Sequence, residues 1–267
     1  MNKNKLKLCL VQIQGRESPE LNRILLKKNL EKCLKFKPNI IFTPECLNVM
    51  TSNTEHLKKV ATTQEECPVL KECVNFAKKQ NIYLSIGSLL LRIKNSNKLV
   101  NRSFFINNKG KIINFYDKIN LFDVEINKNE KYHESNIFKK GNKFVVANSP
   151  WGEFGLSICY DVRFPELYRK LFFLGSKFLL VPAAFTRPTG KSHWKVLLLS
   201  RAIENTCFVI AAAQCGTHHA KRKTHGHSLI IDPWGKVIIE GKNYPKIFFT
   251  TLDLNILKPI RKCFKID

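Results

Sequence analysis

Cys159 stands where an apolar, strand-like run meets a helical one, in the stretch EFGLSICYDVRFPELYRKLFF at 153–173. A thiol at the carboxyl end of a buried strand, near helix backbone N–H groups, lies in a positive field that favours the thiolate. The junction is typical of a nucleophile elbow in type, although it lacks the glycine signature of that motif. Taken alone, it is equally compatible with a cysteine packed in the core.

Two further residues that could assist a nucleophile also follow apolar runs. Glu45 ends the run IIFTPE, and its carboxylate could be a catalytic base at the mouth of a sheet or only a charge at a helix start. Lys118, in NFYDKINLFDVE, could stabilise a thiolate or an oxyanion, or could be an ordinary lysine on a polar edge. Spacing alone does not show that residues 45, 118 and 159 meet.

The chain around these residues alternates between strand-like runs and amphipathic helical stretches, which predicts an α/β protein. Helices are expected over 20–36, 68–80, 164–175 and a stretch from Trp194 to Ala202 that Ser192 caps. Strands and hairpins are expected at 6–14, 39–45, 82–91, 103–118, 143–160, 177–185, 206–214 and 227–240. Because hairpins mix with helix-linked crossovers, two packed sheets with helices outside fit better than one parallel sheet.

The composition predicts a single domain over residues 1–267. Apolar residues make up 44% of the chain, which is enough for a sizeable core. No apolar run is long enough to span a bilayer and the N-terminus has no signal-peptide pattern, so a cytoplasmic protein without membrane contact is expected. Nine cysteines of irregular spacing predict reduced thiols rather than a disulfide framework.

The formal net charge of +24 favours, as a second class of function, a protein that binds nucleic acid or an anionic surface. The lysines are scattered among asparagines rather than gathered in one stripe, which argues for compositional bias and against nucleic acid as the main partner. The same charge could attract an anionic substrate. The histidines of HHAKRKTHGH at 218–227 match no zinc pattern, so no metal is expected, and the stretch between Gly216 and Gly226 is interpreted as a flexible active-site loop.

Seven motifs in chain order resemble those of the nitrilase superfamily of carbon–nitrogen hydrolases, over essentially the whole chain. They are TPE (43–45), YDKINLFDVE (116–125), HESN (133–136), GLSICYDVRFPEL (155–167), TGKSHW (189–194), SRAIEN (200–205) and GHSLIIDPWG (226–235). The resemblance implies a triad of Glu45, Lys118 and Cys159, with Glu134 as a supporting glutamate. It also implies a four-layer α-β-β-α sandwich of two mixed sheets packed face to face, paired into dimers or dimers of dimers through its outer helices.

The chemistry that this resemblance implies needs no cofactor. Cys159 attacks an amide carbonyl while Glu45 transfers protons, so that an amine leaves and a thioester forms, which water then hydrolyses. Lys118 and the backbone N–H of Tyr160 hold the oxyanion, and Glu134 orients Lys118.

Within the superfamily, residues 208–235 and the motifs LFDVEI and HESN look most similar to the deaminated-glutathione amidases. That similarity implies an anionic substrate, the 2-oxo analogue of glutathione, which yields 2-oxoglutarate and cysteinylglycine in metabolite repair. Arg163 and Thr189 are then expected to bind the 2-oxo acid end beside Phe185, although Arg163 could instead pair with Glu166 on its own helix. An ω-amidase that acts on 2-oxoglutaramate or 2-oxosuccinamate is the alternative with the same triad.

Overall fold

A computed structural model of the protein describes residues 2–127, 130–219, 222–264 and 266. The predicted four-layer sandwich is confirmed, because two six-stranded mixed sheets face each other and helices cover both outer faces. The strands are β1 (Lys5–Gln12), β2 (Ile40–Phe42), β3 (Tyr83–Arg92), β4 (Leu99–Ile106), β5 (Ile112–Asp117), β6 (Asp123–Asn127), β7 (Glu130–His133), β8 (Val146–Ser149), β9 (Gly152–Leu156), β10 (Phe178–Leu180), β11 (Phe208–Ala211), β12 (Cys215–Thr217), β13 (Lys223–His225), β14 (Leu229–Ile231), β15 (Val237–Glu240) and β16 (Lys246–Asp253). The helices are α1 (Pro19–Cys33), α2 (Thr54–Val60), α3 (Pro68–Gln80), α4 (Pro165–Phe173), α5 (Arg187–Thr189), α6 (Lys195–Glu204) and α7 (Leu257–Cys263).

Each sheet has three parallel strands at its centre and antiparallel strands towards its edges. The first sheet has the order β16-β1-β2-β3-β4-β5, in which β1, β2 and β3 are parallel. The second has the order β15-β14-β11-β10-β9-β8, in which β9, β10 and β11 are parallel. Loops that leave the carboxyl ends of parallel strands cluster at one edge of a sheet. A parallel bridge between Ile13, which follows β1, and Gln214 connects the two sheets at that edge.

Strand β1 shows how the sequence builds two cores at once. Leu6, Leu8 and Leu10 pack between the two sheets, whereas Cys9 and Val11 pack against the outer helices α1 and α3. Successive side chains of a strand point to opposite faces, so a strand buried on both faces needs a continuous apolar run. The run LKLCLV meets that need apart from Lys7, which is exposed.

Three local expectations were wrong or incomplete. Ser192 does not cap a helix, because α5 begins at Arg187, a π-helical segment follows at Gly190–Trp194, and α6 continues from it. Pro188 near the start of α5 fits this earlier beginning, since proline is favoured in a first helical turn. The hairpin of β6 and β7 and the edge strand β16 were not predicted, because their half-exposed residues carry a weak apolar pattern.

Two predictions about the whole chain can be compared with the structure. Within the described ranges, the helices are all too short or too polar to cross a membrane. The nine cysteines all fall in those ranges and are free, as predicted; eight are buried and Cys263 is exposed.

Candidate active site

The structure brings Glu45, Lys118 and Cys159 together at the edge where the parallel strands of both sheets end. Glu45 follows β2 and Lys118 follows β5 in the first sheet, whereas Cys159 follows β9 in the second. Lys118 Nζ lies 3.1 Å from Glu45 Oε1, and the Cys159 thiol and the Glu45 carboxylate lie side by side in the wall of one cavity, close enough for each to shift the other's pKa. All three side chains are buried. The carboxylate therefore contacts both the thiol and the ammonium group in a site that excludes bulk water.

The Glu45 carboxylate is held by donors from both sheets. Besides Lys118, its Oε1 accepts from Asn101 Nδ2 at 2.9 Å, and its Oε2 accepts from the backbone N–H of Ala184 at 2.7 Å. Gln214 Nε2 donates to the Glu45 backbone carbonyl at 2.9 Å. These bonds fix both the position and the orientation of the carboxylate, as a group that transfers protons repeatedly requires.

Lys118 lies between two carboxylates. Its Nζ contacts Glu134 Oε2 at 2.9 Å and Oε1 at 3.2 Å, in addition to Glu45. Glu134 Oε2 also accepts from the backbone N–H of Phe122 at 2.9 Å. Glu134 is therefore placed where it restricts the movement of the Lys118 ammonium.

The protonation states follow from burial and from these contacts. Burial alone would raise the pKa of Glu45, but the Lys118 charge and the hydrogen bonds from Cys159, Lys118 and Ala184 outweigh it and lower that pKa. Burial opposes the charge on Lys118, yet the carboxylates of Glu134 and Glu45 outweigh it and raise its pKa well above the usual value. Burial and the nearby Glu45 carboxylate raise the pKa of the Cys159 thiol well above its usual value. The resting site thus holds a carboxylate, an ammonium and a neutral thiol.

This assignment corrects the expectation of a Cys159 thiolate. The residues that follow Cys159 form a single 3-10 turn, Cys159–Arg163, and the thiol is buried beside a carboxylate. A short helical turn supplies a weak field, whereas burial and a like charge both disfavour an anion. The thiol is consequently placed to give its proton to Glu45 when it attacks, rather than to carry a charge beforehand.

The backbone at Cys159 has the left-handed conformation, with φ of 51°. For a residue other than glycine this conformation costs about 1–3 kcal/mol and requires support from the surroundings. The support includes Asp161, whose buried carboxylate accepts from the backbone N–H groups of Ile158 at 2.8 Å and Asn120 at 2.9 Å and from Tyr116 Oη at 2.8 Å. Asp161 therefore connects the turn that carries Cys159 to the loop after Lys118.

A cavity of about 10 Å³, here named the inner cavity, opens onto these groups. Its walls include, besides Glu45, Lys118, Glu134 and Cys159, the residues Phe122, Tyr160, Ala184, Phe185, Thr186, Thr189 and Arg222. Tyr160, Phe185 and Thr189 therefore line the same cavity as the three residues above. Arg163 is not part of the wall: its guanidinium lies 5.7 Å from the ring centre of Tyr160 and 5.4 Å from that of Phe185. Its hydrogen-bond partner among the described residues is His193, at 3.1 Å between Nη2 and Nδ1, and not Glu166.

The segment interpreted as a flexible loop contains a two-stranded ribbon. Strands β12 and β13 pair in antiparallel fashion, and residues 220 and 221 between them lie outside the described ranges. His218 anchors the ribbon because Nδ1 contacts the Gly15 carbonyl oxygen at 3.0 Å and Nε2 contacts Thr224 Oγ1 at 2.8 Å. Burial lowers the pKa of His218 to about 4, so this ring is neutral at pH 7. In the described part of the chain, no three His, Cys, Asp or Glu side chains are grouped so that they could hold a metal ion.

Several residues with a role in the site were not predicted from the sequence. Asn101, Asp161 and Arg222 each hold or face the groups described above. A buried asparagine inside the apolar strand LVNRSFF is a signal that could have indicated Asn101, because such a side chain needs hydrogen-bond partners. Asp161 and Arg222 carry no comparable signal, since charged residues are common in turns.

Fold and site together define an amide-hydrolysing enzyme with a buried cysteine, and comparison with known families agrees. The family model for carbon-nitrogen hydrolases matches residues 7–262. The chain belongs to the carbon–nitrogen hydrolase family.

Relatives with similar sequences share one description. A protein of Dictyostelium discoideum described as deaminated glutathione amidase is 40% identical over 97% of this chain and 92% of its own length. Proteins of Bos taurus and Yersinia enterocolitica with the same description are 34% and 32% identical over 96% and 95% of this chain, and over 79% and 89% of their own lengths.

Solved structures show the same fold. The Caenorhabditis elegans NitFhit protein superimposes with a TM-score of 0.91 and 34% identity over 98% of this chain, which spans 64% of that longer protein. Saccharomyces cerevisiae Nit3, a member of branch 10 of the nitrilase superfamily, superimposes with a TM-score of 0.88 and 28% identity over 98% of this chain and 95% of its own.

Proposed function

We propose that this protein hydrolyses deaminated glutathione to 2-oxoglutarate and cysteinylglycine through a thioester on Cys159, as a step of metabolite repair. The observation that carries the proposal is the buried contact between a neutral thiol, an ionised carboxylate and an ammonium group at the inner cavity. The choice of substrate is supported by the shared description of the relatives from three distant organisms.

In the first half-reaction, Glu45 acts as the base. Cys159 Sγ bonds to the amide carbonyl carbon while its proton passes to Glu45, whose carboxylate lies beside the thiol. Glu45 then gives that proton to the amine nitrogen, the carbon–nitrogen bond breaks, and a neutral amine leaves behind a thioester. The lowered pKa of Glu45 keeps it ionised at neutral pH, ready for the first transfer.

In the second half-reaction, Glu45 takes a proton from water as the water oxygen bonds to the thioester carbon. The carbon–sulfur bond then breaks, the acid product leaves, and the proton returns from Glu45 to Cys159. The same carboxylate serves both halves, which is consistent with the number of donors that hold it in place.

Lys118 and the backbone N–H of Tyr160 are proposed to hold the oxyanion of each tetrahedral intermediate. Lys118 Nζ lies beside Glu45, and Tyr160 follows the nucleophile directly in the strained turn. No backbone acceptor among the described residues pairs with the Tyr160 N–H. A preorganised donor of this kind contributes about 3 kcal/mol to stabilising the transition state.

The 2-oxo acid end of the substrate is proposed to lie against Phe185 and Thr189 in the inner cavity. Thr189 Oγ1 lies 2.7 Å from Thr186 Oγ1, so the two hydroxyls form one polar patch on the wall. Arg163, which packs over the rings of Tyr160 and Phe185, is proposed to supply positive charge behind this wall.

The small volume of the inner cavity, about 10 Å³, favours ω-amidase activity on 2-oxoglutaramate or 2-oxosuccinamate as the second candidate function. Deaminated glutathione and 2-oxoglutaramate share the acyl half and differ in the leaving group, which is ammonia for 2-oxoglutaramate. Comparing kcat/KM for deaminated glutathione and 2-oxoglutaramate separates them, and a preference for the small amide would overturn the first choice.

Mass spectrometry of the intact protein tests the covalent mechanism. Wild-type protein quenched in acid during turnover of deaminated glutathione is expected to carry a 2-oxoglutaryl adduct that maps to Cys159. The Cys159→Ala variant is expected to lose the adduct and at least about 10⁴-fold in kcat/KM. The matched control is Cys263→Ala, which removes an exposed cysteine and should keep full activity. Turnover by Cys159→Ala at the wild-type rate would exclude the mechanism.

The remaining expectations stay proposals. A homodimer formed through the outer helices is supported by the apolar side chains that α4 and α6 expose, among them Phe173, Val196 and Ile203. Light scattering on purified protein measures the oligomer size. A single domain over residues 1–267 and a cytoplasmic location stay predictions.

A further inference from the structure

A second, larger space adjoins the inner cavity, and its charge is one-sided. This outer groove measures about 1370 Å³ against about 10 Å³ for the inner cavity, and Glu134 and Arg222 line both. Its cationic side chains are Lys58, Lys131, Arg187, Lys191, Arg222 and Lys223. Glu134, the one carboxylate that lines it among the described residues, is already paired with Lys118.

The pairing of these cations is uneven. Lys58 and Lys131 form ion pairs with Glu55 and Glu125. Among the described residues, the other four cations of the groove have no carboxylate within ion-pair distance. The outer groove therefore presents a positive field that the protein itself does not neutralise, which attracts anions.

Arg222 is the cation where the two spaces meet. Its guanidinium lies 5.6 Å from the ring centre of Tyr132, and its Nε is buried with no hydrogen-bond partner among the described residues. A buried donor without a partner is costly, and an anionic ligand would remove that cost. The anchored ribbon of β12 and β13 holds Arg222 at this junction.

The position of Cys159 decides which part of a substrate reaches Arg222. An amide carbonyl on Cys159 Sγ divides the substrate, and the acyl half is proposed to lie beside Phe185 and Thr189, which line the inner cavity. The amine half must then pass Arg222 into the outer groove. We infer that Arg222 binds a carboxylate carried by the leaving amine, so that the enzyme selects amides of anionic, peptide-like amines over amides that release ammonia. This inference rests on the proposed function and names the half of the substrate that sets its specificity.

The test removes each partner of the proposed contact in turn. For the wild-type enzyme, replacing the carboxylate of the cysteinylglycine half of deaminated glutathione by a carboxamide is expected to lower kcat/KM about 10- to 100-fold, mainly by raising KM. Arg222→Gln should show the same loss on deaminated glutathione and no further loss on the carboxamide. On 2-oxoglutaramate, whose leaving group is ammonia, the kcat/KM of Arg222→Gln should stay within about twofold of the wild-type value. On deaminated glutathione, Arg222→Lys should regain part of the kcat/KM that Arg222→Gln loses.

Lys109→Gln is the matched control, because it removes one positive charge from an exposed turn. This turn precedes β5, whereas Lys118 follows the other end of that strand. Equal losses by Arg222→Gln on deaminated glutathione and 2-oxoglutaramate would assign Arg222 to the acyl half and overturn the inference. Equal kcat/KM of the wild-type enzyme on deaminated glutathione and on its carboxamide analogue would also overturn the inference, and this comparison does not depend on whether any variant folds. A wild-type enzyme that releases no cysteinylglycine, yet hydrolyses 2-oxoglutaramate, would remove the proposed function together with the inference.

Discussion

The inner cavity and the outer groove differ in how their charges are satisfied. Glu45, Lys118 and Glu134 are paired with one another and with backbone N–H groups, whereas Arg187, Lys191, Arg222 and Lys223 have no ion-pair partner among the described residues. Groups that perform chemistry need fixed positions, which paired and buried charges provide. Groups that recognise a ligand need charges or hydrogen-bond donors that no other group of the protein already pairs with. The proposed division of bond breaking and substrate selection between two adjoining spaces rests on this difference.

Replacing one charge inside the inner cavity should have the largest effect. Glu134→Gln leaves Lys118 with Glu45 as its one carboxylate partner, so the ammonium is free to move towards Glu45 and away from the oxyanion. We expect kcat to fall about 10²- to 10³-fold with KM nearly unchanged, because the loss falls on the transition state. Steady-state kinetics measures both constants, with Glu153→Gln, which breaks an exposed pair with Lys177, as the control. A rise in KM at constant kcat would instead place Glu134 in substrate binding.

The ribbon of β12 and β13, which holds Arg222 in the outer groove, should make the stability of the protein sensitive to acid. Burial lowers the pKa of His218 to about 4 from a usual value of 6.5. Between these two pH values the unfolded chain binds a proton that folded His218 does not, so the free energy of unfolding decreases as pH falls. The linked loss is about 3 kcal/mol from pH 7 to pH 4.

Urea unfolding at a series of pH values measures this slope. His218→Gln should flatten it, while His219→Gln, which changes an exposed neighbour, should keep the wild-type slope. Equal slopes in wild type and His218→Gln would show that other groups cause the acid sensitivity.

A substitution in strand β3 should disturb the inner cavity through the backbone, with a smaller effect than the changes above. A Cβ at Gly87 would lie 2.2 Å from the Thr43 carbonyl oxygen and 2.4 Å from the Pro44 carbonyl oxygen, just before Glu45. Gly87→Ala should therefore displace the segment that carries the base, with a loss of about 1–3 kcal/mol in the free energy of unfolding and a lower kcat. Chemical denaturation and kinetics on the same sample measure the two effects. Wild-type values of both would mean that the segment can move without cost.

The same comparison explains what could be predicted from the sequence. Glu45, Lys118 and Cys159 each follow an apolar, strand-like run, so their positions at strand ends could be read from local patterns. Their meeting could not, because it depends on which strands are parallel and on how two sheets pack. That step came from the resemblance to a family. The neutral thiol was missed because burial and a nearby carboxylate are properties of the assembled site.

The outer groove was harder to predict than the inner cavity. Its cations come from four separate parts of the chain, on α2, on β7, on α5 with the segment after it, and on the ribbon. Each looks like one more lysine or arginine in a chain of net charge +24. The scatter of basic residues along the sequence hides their convergence in space. Arg163, chosen from a motif, packs against the cavity wall, whereas Arg222, which no motif indicates, lines the cavity.

The smallest effect is expected from the rim of the outer groove. Lys191 is exposed and without an ion pair among the described residues, so it should act through the field rather than through one contact. Lys191→Gln should lower kcat/KM on deaminated glutathione about two- to fivefold at low salt, and the difference from wild type should vanish near 0.5 M salt because screening removes it. The loss for Arg222→Gln should persist at that salt concentration, since a partly buried pair is screened much less. If both losses disappear together, the groove attracts the substrate without binding it, and selection must occur in the inner cavity instead.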